Sequence, residues 1–192
     1  FLSKYNLPSD KKIILYPGRL TSWKGQIEFL KIIELLDVKN LICYFIGDDK
    51  NNSYVKKFIN EIKKRNLSFH CKVLGHLSRE DIRFMYKSAD IIISAPIKPE
   101  GFGRTVSESL AMKKIVLSYN FGGVKDQLLG LDKLFSVNPF DKDQMIEKIN
   151  KVFEFSTNTI NDLGEISRNH IINNFSKKIM LEKYYNFYQK NI

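Results

Sequence analysis

A chain of 192 residues, 43% hydrophobic and 12% aromatic, holds enough apolar material for a sizeable core and does not read as disordered. It carries 31 lysines and arginines against 21 acidic residues, a net charge of +10. That balance admits a solvated surface, a phosphate-bearing ligand, nucleic acid or an anionic membrane without choosing between them.

The opening Phe1-Leu2-Ser3-Lys4 has neither Met nor a signal peptide and reads as a cut inside a longer protein, with a partner domain expected on the N-terminal side. Ile13-Ile14-Leu15-Tyr16 then forms a buried strand stopped by Pro17-Gly18, and Phe29, Ile32, Ile33 and Leu36 recur at the spacing of one helix face. Leu41 to Ile46 is a second strand, closed by Gly47; Val55, Phe58, Ile59 and Ile62 repeat the helical spacing with lysines opposite. Lys72 to Gly75 is a third strand, and Ser78 caps a helix whose inner face is Ile82, Met85 and Tyr86. Ile91 to Ser94 is a fourth, Glu108 to Met112 lies on the helix after it, Ile115 to Ser118 is a fifth and Lys133 to Val137 a sixth. Beyond Asp141 the pattern is helical only, with Met145, Ile149, Val152 and Phe153 on one face and Leu181, Tyr184, Tyr185 and Tyr188 on another.

Continuously apolar strands separated by helices mark a parallel sheet covered on both faces. The fold class is therefore α/β: a Rossmann-like, doubly wound parallel sheet of about six strands with C-terminal helices. Residues 1–192 read as a single unit, with the core over about 10–175 and a C-terminal helix over 176–192. No run approaches about eighteen consecutive apolar residues, so no membrane-spanning helix is predicted. Cys43 and Cys71 lack the spacing of a metal site or disulfide framework and read as small buried hydrophobes in a reducing, cytoplasmic setting.

In such a sheet ligands collect beyond the carboxyl ends of the strands. The richest loop there is Pro99-Glu100-Gly101-Phe102-Gly103-Arg104-Thr105, which runs straight into the helix that carries Glu108. Glycines let the backbone approach a ligand, and a helix start offers unpaired N–H groups and about half a positive charge, the elements of a phosphate cradle. Carboxylates on either side of an anion site make sense if they accept hydrogen bonds from sugar or ribose hydroxyls. The loop Gly18-Arg19-Leu20-Thr21-Ser22-Trp23-Lys24-Gly25 adds a planar cation and a mobile one, suited to two phosphates. Asp48-Asp49 reads as a turn rather than a metal pair, His70, His76 and His170 lack metal-ligand spacing, and Trp23 is expected to pack at the start of its helix.

Together, the Gly-Arg…Lys-Gly opening at 18–25, the Glu-Gly-Phe-Gly run at 100–103 that Glu108 completes as Glu-x7-Glu, and Gly122-Gly123 resemble the family 4 (group 1) glycosyltransferases of GT-B fold. The resemblance covers nearly the whole chain and matches that family's C-terminal nucleotide-sugar donor-binding domain, one half of a GT-B fold. It implies that Arg19 and Lys24 neutralise the donor pyrophosphate, Glu100 binds donor-sugar hydroxyls and Glu108 those of the ribose. Backbone N–H groups of Phe102 and Gly103, with Gly18, Gly101, Arg104 and Thr105, would line sugar and phosphates, and the loop with His76 and Leu77 would receive the base. It further implies retention of anomeric configuration, no metal and no other cofactor. The chain departs from the family at Lys113 and Ile115, where Gly and Pro are usual, and at Asp126, where Glu is common; a local packing change is expected.

The resulting expectation is a hexosyltransferase domain, inactive without its N-terminal acceptor domain. It would act on a glycan or lipid-linked acceptor of the cell envelope, in the cytoplasm or peripherally at the inner face of the membrane. A sugar-nucleotide epimerase of the same fold would bind the same donor. A basic nucleic-acid-binding α/β module would explain the charge but leave Glu100 and Glu108 without a role. The aromatic tail reads as a docking face, for the core or for the missing domain.

Overall fold

Runs of β-branched and aromatic residues without polar interruption become the inner strands of a six-stranded sheet in the computed structural model, which describes residues 5, 7–37, 39–47 and 53–191. Residues 1–4 and the Asp48-Asp49 turn lie outside the described residues. The strands are β1 (Lys12–Pro17), β2 (Leu41–Ile46), β3 (Cys71–Gly75), β4 (Ile91–Ser94), β5 (Ile115–Tyr119) and β6 (Ser136–Val137). All pair in parallel, in the order β3-β2-β1-β4-β5-β6. The direction of winding reverses between β1 and β4, and the carboxyl ends of those two strands open onto the crevice where such folds bind ligands.

Helices α1 (Gln26–Ile33), α2 (Ser53–Lys64), α3 (Arg79–Ser88), α4 (Arg104–Ala111), α5 (Gly123–Leu128), α6 (Lys142–Phe153), α7 (Thr157–Phe175) and α8 (Lys177–Asn191) complete the chain. Phe29, Ile32 and Ile33 from α1 and Met145, Ile149 and Val152 from α6 are buried in one core with the strands. Each such side chain contributes about 1.5–3 kcal/mol on burial. Tyr16, Phe45 and Phe58 continue that core, with ring centroids 5.7 Å and 4.8 Å apart along the series. Ser78 and Asp141 cap α3 and α6 through bonds from the N–H groups of Asp81 and Gln144. Cys43 and Cys71 face each other in register on β2 and β3, both free and buried, and burial pushes the Cys43 thiol up.

Three expectations need correction. The sixth strand does not begin at Lys133: Lys133–Phe135 is a 3-10 turn, because the Asp132 carboxylate accepts from Leu134 N at 2.7 Å and closes the chain locally. Only Ser136 and Val137 reach the sheet, opposite Ser118 and Tyr119. Helix α1 stops at Ile33, so Leu36 packs into the core from beyond its end. Of the two partners expected for the aromatic tail, the core does not cover it: Leu181, Tyr184, Tyr185 and Tyr188 of α8 are all more than half exposed. Among the described residues no helix is long and apolar enough to cross a membrane.

Lys113 lies at a tight junction between α4, β5 and α7. Lys113 adopts a left-handed backbone at φ 60, and α7 presses Gly164 against it so closely that a Cβ there would lie 2.7 Å from the Lys113 carbonyl oxygen. Lys113 pairs with Glu165, and Arg168 donates to the Ala111 carbonyl, so α7 grips the end of α4 where the backbone turns towards β5.

Candidate functional site

The loop that follows β1 is fixed by buried polar side chains. The Tyr16 phenol donates to the Lys24 carbonyl and accepts from Ala95 N at 3.2 Å, tying the ends of β1 and β4 together. Burial and nearby charge keep that phenol protonated, raising it well above the ordinary tyrosine range. Gln26, fully buried at the start of α1, donates from Nε2 to the Arg19 carbonyl at 3.0 Å and accepts from the Tyr54 hydroxyl at 3.1 Å. The Arg19 side chain is left exposed beyond this scaffold. Trp23 is half-buried beside Lys24, whose Nζ lies 4.6 Å from the indole centroid, as expected of a residue packing at the helix start.

The loop that follows β4 is fixed by backbone approach. Gly123 N donates to the Glu100 carbonyl at 2.8 Å, and Gly122 bridges Glu100 like one more rung of the sheet. A Cβ on Gly123 would lie 2.0 Å from the Gly101 carbonyl oxygen, so only glycine allows the contact. Gly103 caps α4 at φ 82, a left-handed conformation, with Val124 packed where a side chain would begin. Val106 is the first residue of α4 whose N–H is met by the helix itself, from the Gly103 carbonyl at 3.0 Å. The N–H groups of Arg104 and Thr105 are left for a cap or a ligand.

Lys24 and Glu100 meet at 2.6 Å where the two loops converge, with about a tenth of each side chain exposed. Beside them a cleft of about 410 Å³ is walled by Gly18, Arg19, Gly47, His76, Leu77, Ile82, Tyr86, Arg104, Thr105 and Glu108. Seven of the residues singled out from the sequence, Gly18, Arg19, His76, Leu77, Arg104, Thr105 and Glu108, therefore share one cleft. Lys24 and Glu100 form the pair next to it. Gly101 is exposed at the tip of its loop, while the Phe102 ring faces another hollow of about 450 Å³ with Phe175, Met180, Lys183 and Tyr184. That hollow is larger and apolar, yet it holds none of the convergent charge that marks the first.

Arg104 and Glu108 pair at 2.8 Å across one turn of α4, both exposed, so the contact contributes little to stability. Tyr86 is buried beneath Glu108, and burial followed by the charge of Glu108 raises its phenol far above the usual range. Among the described residues no group of three or more His, Cys, Asp or Glu side chains could hold a metal ion. His70 and His170 are engaged with the Leu41 and Gln127 carbonyls.

Sequence reading missed Tyr16, Gln26, Tyr86 and Gln127. Gln127 left a signal, a polar residue on the face of α5 that buries Val124 and Leu128. Tyr16 left none, since a strand-end tyrosine is indistinguishable from core.

Residues 2–170 match the family described as glycosyl transferases group 1. A trehalose synthase of Thermococcus litoralis is 24% identical over 191 residues, covering 95% of this chain and 45% of that protein. The crystal structure of a glycosyltransferase from Rickettsia africae superposes with a TM-score of 0.89 at 34% identity, over 98% of this chain and 50% of that one. HepE of Anabaena, solved with UDP and glucose, superposes with a TM-score of 0.85 at 20% identity over 98% of this chain and 50% of that chain, a likeness of fold. The chain spans about half the length of the curated relatives it matches.

Proposed function

The chain belongs to the group 1 glycosyl transferases, and from that premise we propose that it binds the nucleoside diphosphate sugar for a retaining hexosyltransferase. The observation that carries the reading is the convergence of two loops from β1 and β4, the strands flanking the reversal of winding. One brings exposed Arg19 and the other the start of α4, on a cleft that also holds Glu108. Arg19, Lys24 and the α4 N-terminus meet the diphosphate, Glu108 the ribose, Glu100 the sugar, and His76-Leu77 the base.

In the reaction the bond between the anomeric carbon and the diphosphate oxygen breaks, and the diphosphate leaves with the electron pair. An acceptor hydroxyl, on a glycan or a lipid-linked glycan, forms the new bond and gives up its proton. Charge builds on the leaving diphosphate, where preorganised donors count most; removing one such donor typically costs about 2.7–4 kcal/mol in transition-state stabilisation. No step in this scheme calls on a metal. The acceptor site and turnover belong to the rest of the protein, so this chain alone binds donor without transferring it. The UDP complex of the Anabaena neighbour supports a nucleotide in the cleft.

Thermal unfolding against UDP, GDP, ADP and their sugars tests the reading. A ligand at a hundred times its dissociation constant stabilises by about 2.7 kcal/mol. One diphosphate should shift the melting temperature, and Arg19→Ala and Glu108→Ala should each abolish most of the shift. Equal shifts in the wild type and both variants, or none with any nucleotide in the wild type, would overturn it.

A further inference from the structure

The loop that opens α4 is braced from behind by a residue that does not line the cleft. Gln127 is fully buried, and its Nε2 donates to the carbonyl oxygens of Phe102 and, at 3.5 Å, Gly103. Its Oε1 is buried with no hydrogen-bond partner among the described residues. A residue kept for packing alone would be apolar, as Val124 and Leu128 are on the same helix, and would leave no buried acceptor unmet. Gln127 thus carries a cost that only its two donated bonds explain. The amide cannot be turned the other way round, since both groups facing Nε2 are carbonyl oxygens.

The bracket closes through α7. The Gln127 carbonyl meets His170 Nε2 at 2.9 Å, the His170 ring lies 5.9 Å from Phe175, and Phe175 lies 6.3 Å from Phe102. Two elements outside the cleft therefore hold the loop at Phe102 and Gly103.

What this hold does follows from peptide geometry. In a trans peptide the carbonyl and the next N–H point in opposite directions. Capturing the Phe102 carbonyl turns the Gly103 N–H away from α5, and the Gly103 carbonyl, held by Val106 N at 3.0 Å with Gln127 behind it, leaves the Arg104 N–H free at the start of α4. Two successive N–H groups aimed one way form an anion-binding concavity, next to the α4 N-terminus that already favours negative charge. We propose that Gln127 is a positioning residue for the diphosphate, fixing the Phe102–Arg104 peptide planes so that their N–H groups are presented to it. The inference rests on the donor-binding reading for the identity of the anion.

The test uses this chain with Gln127→Met, which keeps length and apolar packing but removes both the donor and the unmet acceptor. Backbone amide resonances of Gly103 and Arg104 report the peptide planes directly, and calorimetric titration with UDP, GDP and ADP reports the anion. The Met variant should melt no lower than wild type, shift both resonances, and weaken the tightest of the three diphosphates about tenfold. Gln127→Glu cannot donate when ionised, and because burial favours its protonated form it should show the same losses only well above neutral pH and recover as falling pH protonates it. That recovery also serves if the Met variant does not fold. Unchanged resonances and an unchanged dissociation constant in a folded variant would overturn the proposal. If wild type binds none of the nucleotides, the donor reading fails, while the resonances still decide whether Gln127 sets the loop.

Discussion

The two loops that frame the cleft combine side-chain ties and glycine contacts in different proportions. The loop after β1 hangs on side chains: Tyr16 grips the Lys24 carbonyl, and Gln26, itself met by Tyr54, grips that of Arg19. The loop after β4 is tied by Gln127 where it enters α4, but ahead of that it hangs on missing side chains, since Gly122 and Gly123 let a neighbouring backbone lie directly against Glu100 and Gly101. A side-chain tie can be cut while the backbone stays in place, whereas a backbone contact fails by collision. Cutting the side-chain ties of the first loop should therefore act gradually, and filling Gly122 or Gly123 behind the second abruptly.

Gly123→Ala should have the largest effect, because its Cβ would sit 2.0 Å from a carbonyl oxygen and one of the two loops must move. A loss of about 3 kcal/mol in urea unfolding, together with loss of any nucleotide-induced thermal shift, is expected. Retention of both would break the contrast at once. Tyr16→Phe comes next: it strands the Ala95 N–H in the interior and should cost about 1–3 kcal/mol. Because Tyr16 touches both loops, its variant should weaken diphosphate binding as well as stability. Tyr54→Phe removes a bond one step further from the ligand and should cost about 1 kcal/mol by denaturant titration, with nucleotide binding nearly intact.

The smallest signal at neutral pH sharpens the same point. Burial raises the Tyr54 phenol from about 10 to about 12. A folded-state value above the unfolded one means the folded chain keeps the proton longer, so the contribution is complete below about pH 10 and is lost as pH rises through about 12. Urea midpoints measured from pH 8 upward should decline more in wild type than in Tyr54→Phe across that window.

The same contrast explains what could be read in advance. Glycines that permit close approach are visible as letters, so the loop of Glu100 to Gly103 and the pair Gly122-Gly123 stand out in the sequence itself. Caps are visible too, as Ser78 bears out. A tyrosine whose ring belongs to the core and whose hydroxyl belongs to a loop looks like core alone, and Tyr16 is such a residue. Gln26 sits at a helical position whose burial depends on which neighbours arrive from elsewhere in the chain. The sixth strand shortened for a related reason. Apolar Leu134 and Phe135 predict burial correctly, but the carboxylate of Asp132 decides the backbone that buries them. Lys113 shows the reverse case: its letter stands out, but its left-handed backbone and the close approach of Gly164 from α7 do not.

The ion pair between Lys24 and Glu100 carries a last consequence, for how an anion arrives rather than how it is held. A cation matched to a carboxylate at 2.6 Å projects the field of a small dipole, which fades faster with distance than that of a bare charge. Lys24 therefore does little to draw a ligand out of bulk solution. Steering falls to exposed Arg19, whose reach is set by the Debye length of about 8 Å at physiological salt. Added salt should slow the encounter through Arg19 and leave the grip of Lys24, sheltered between the loops, largely as it was.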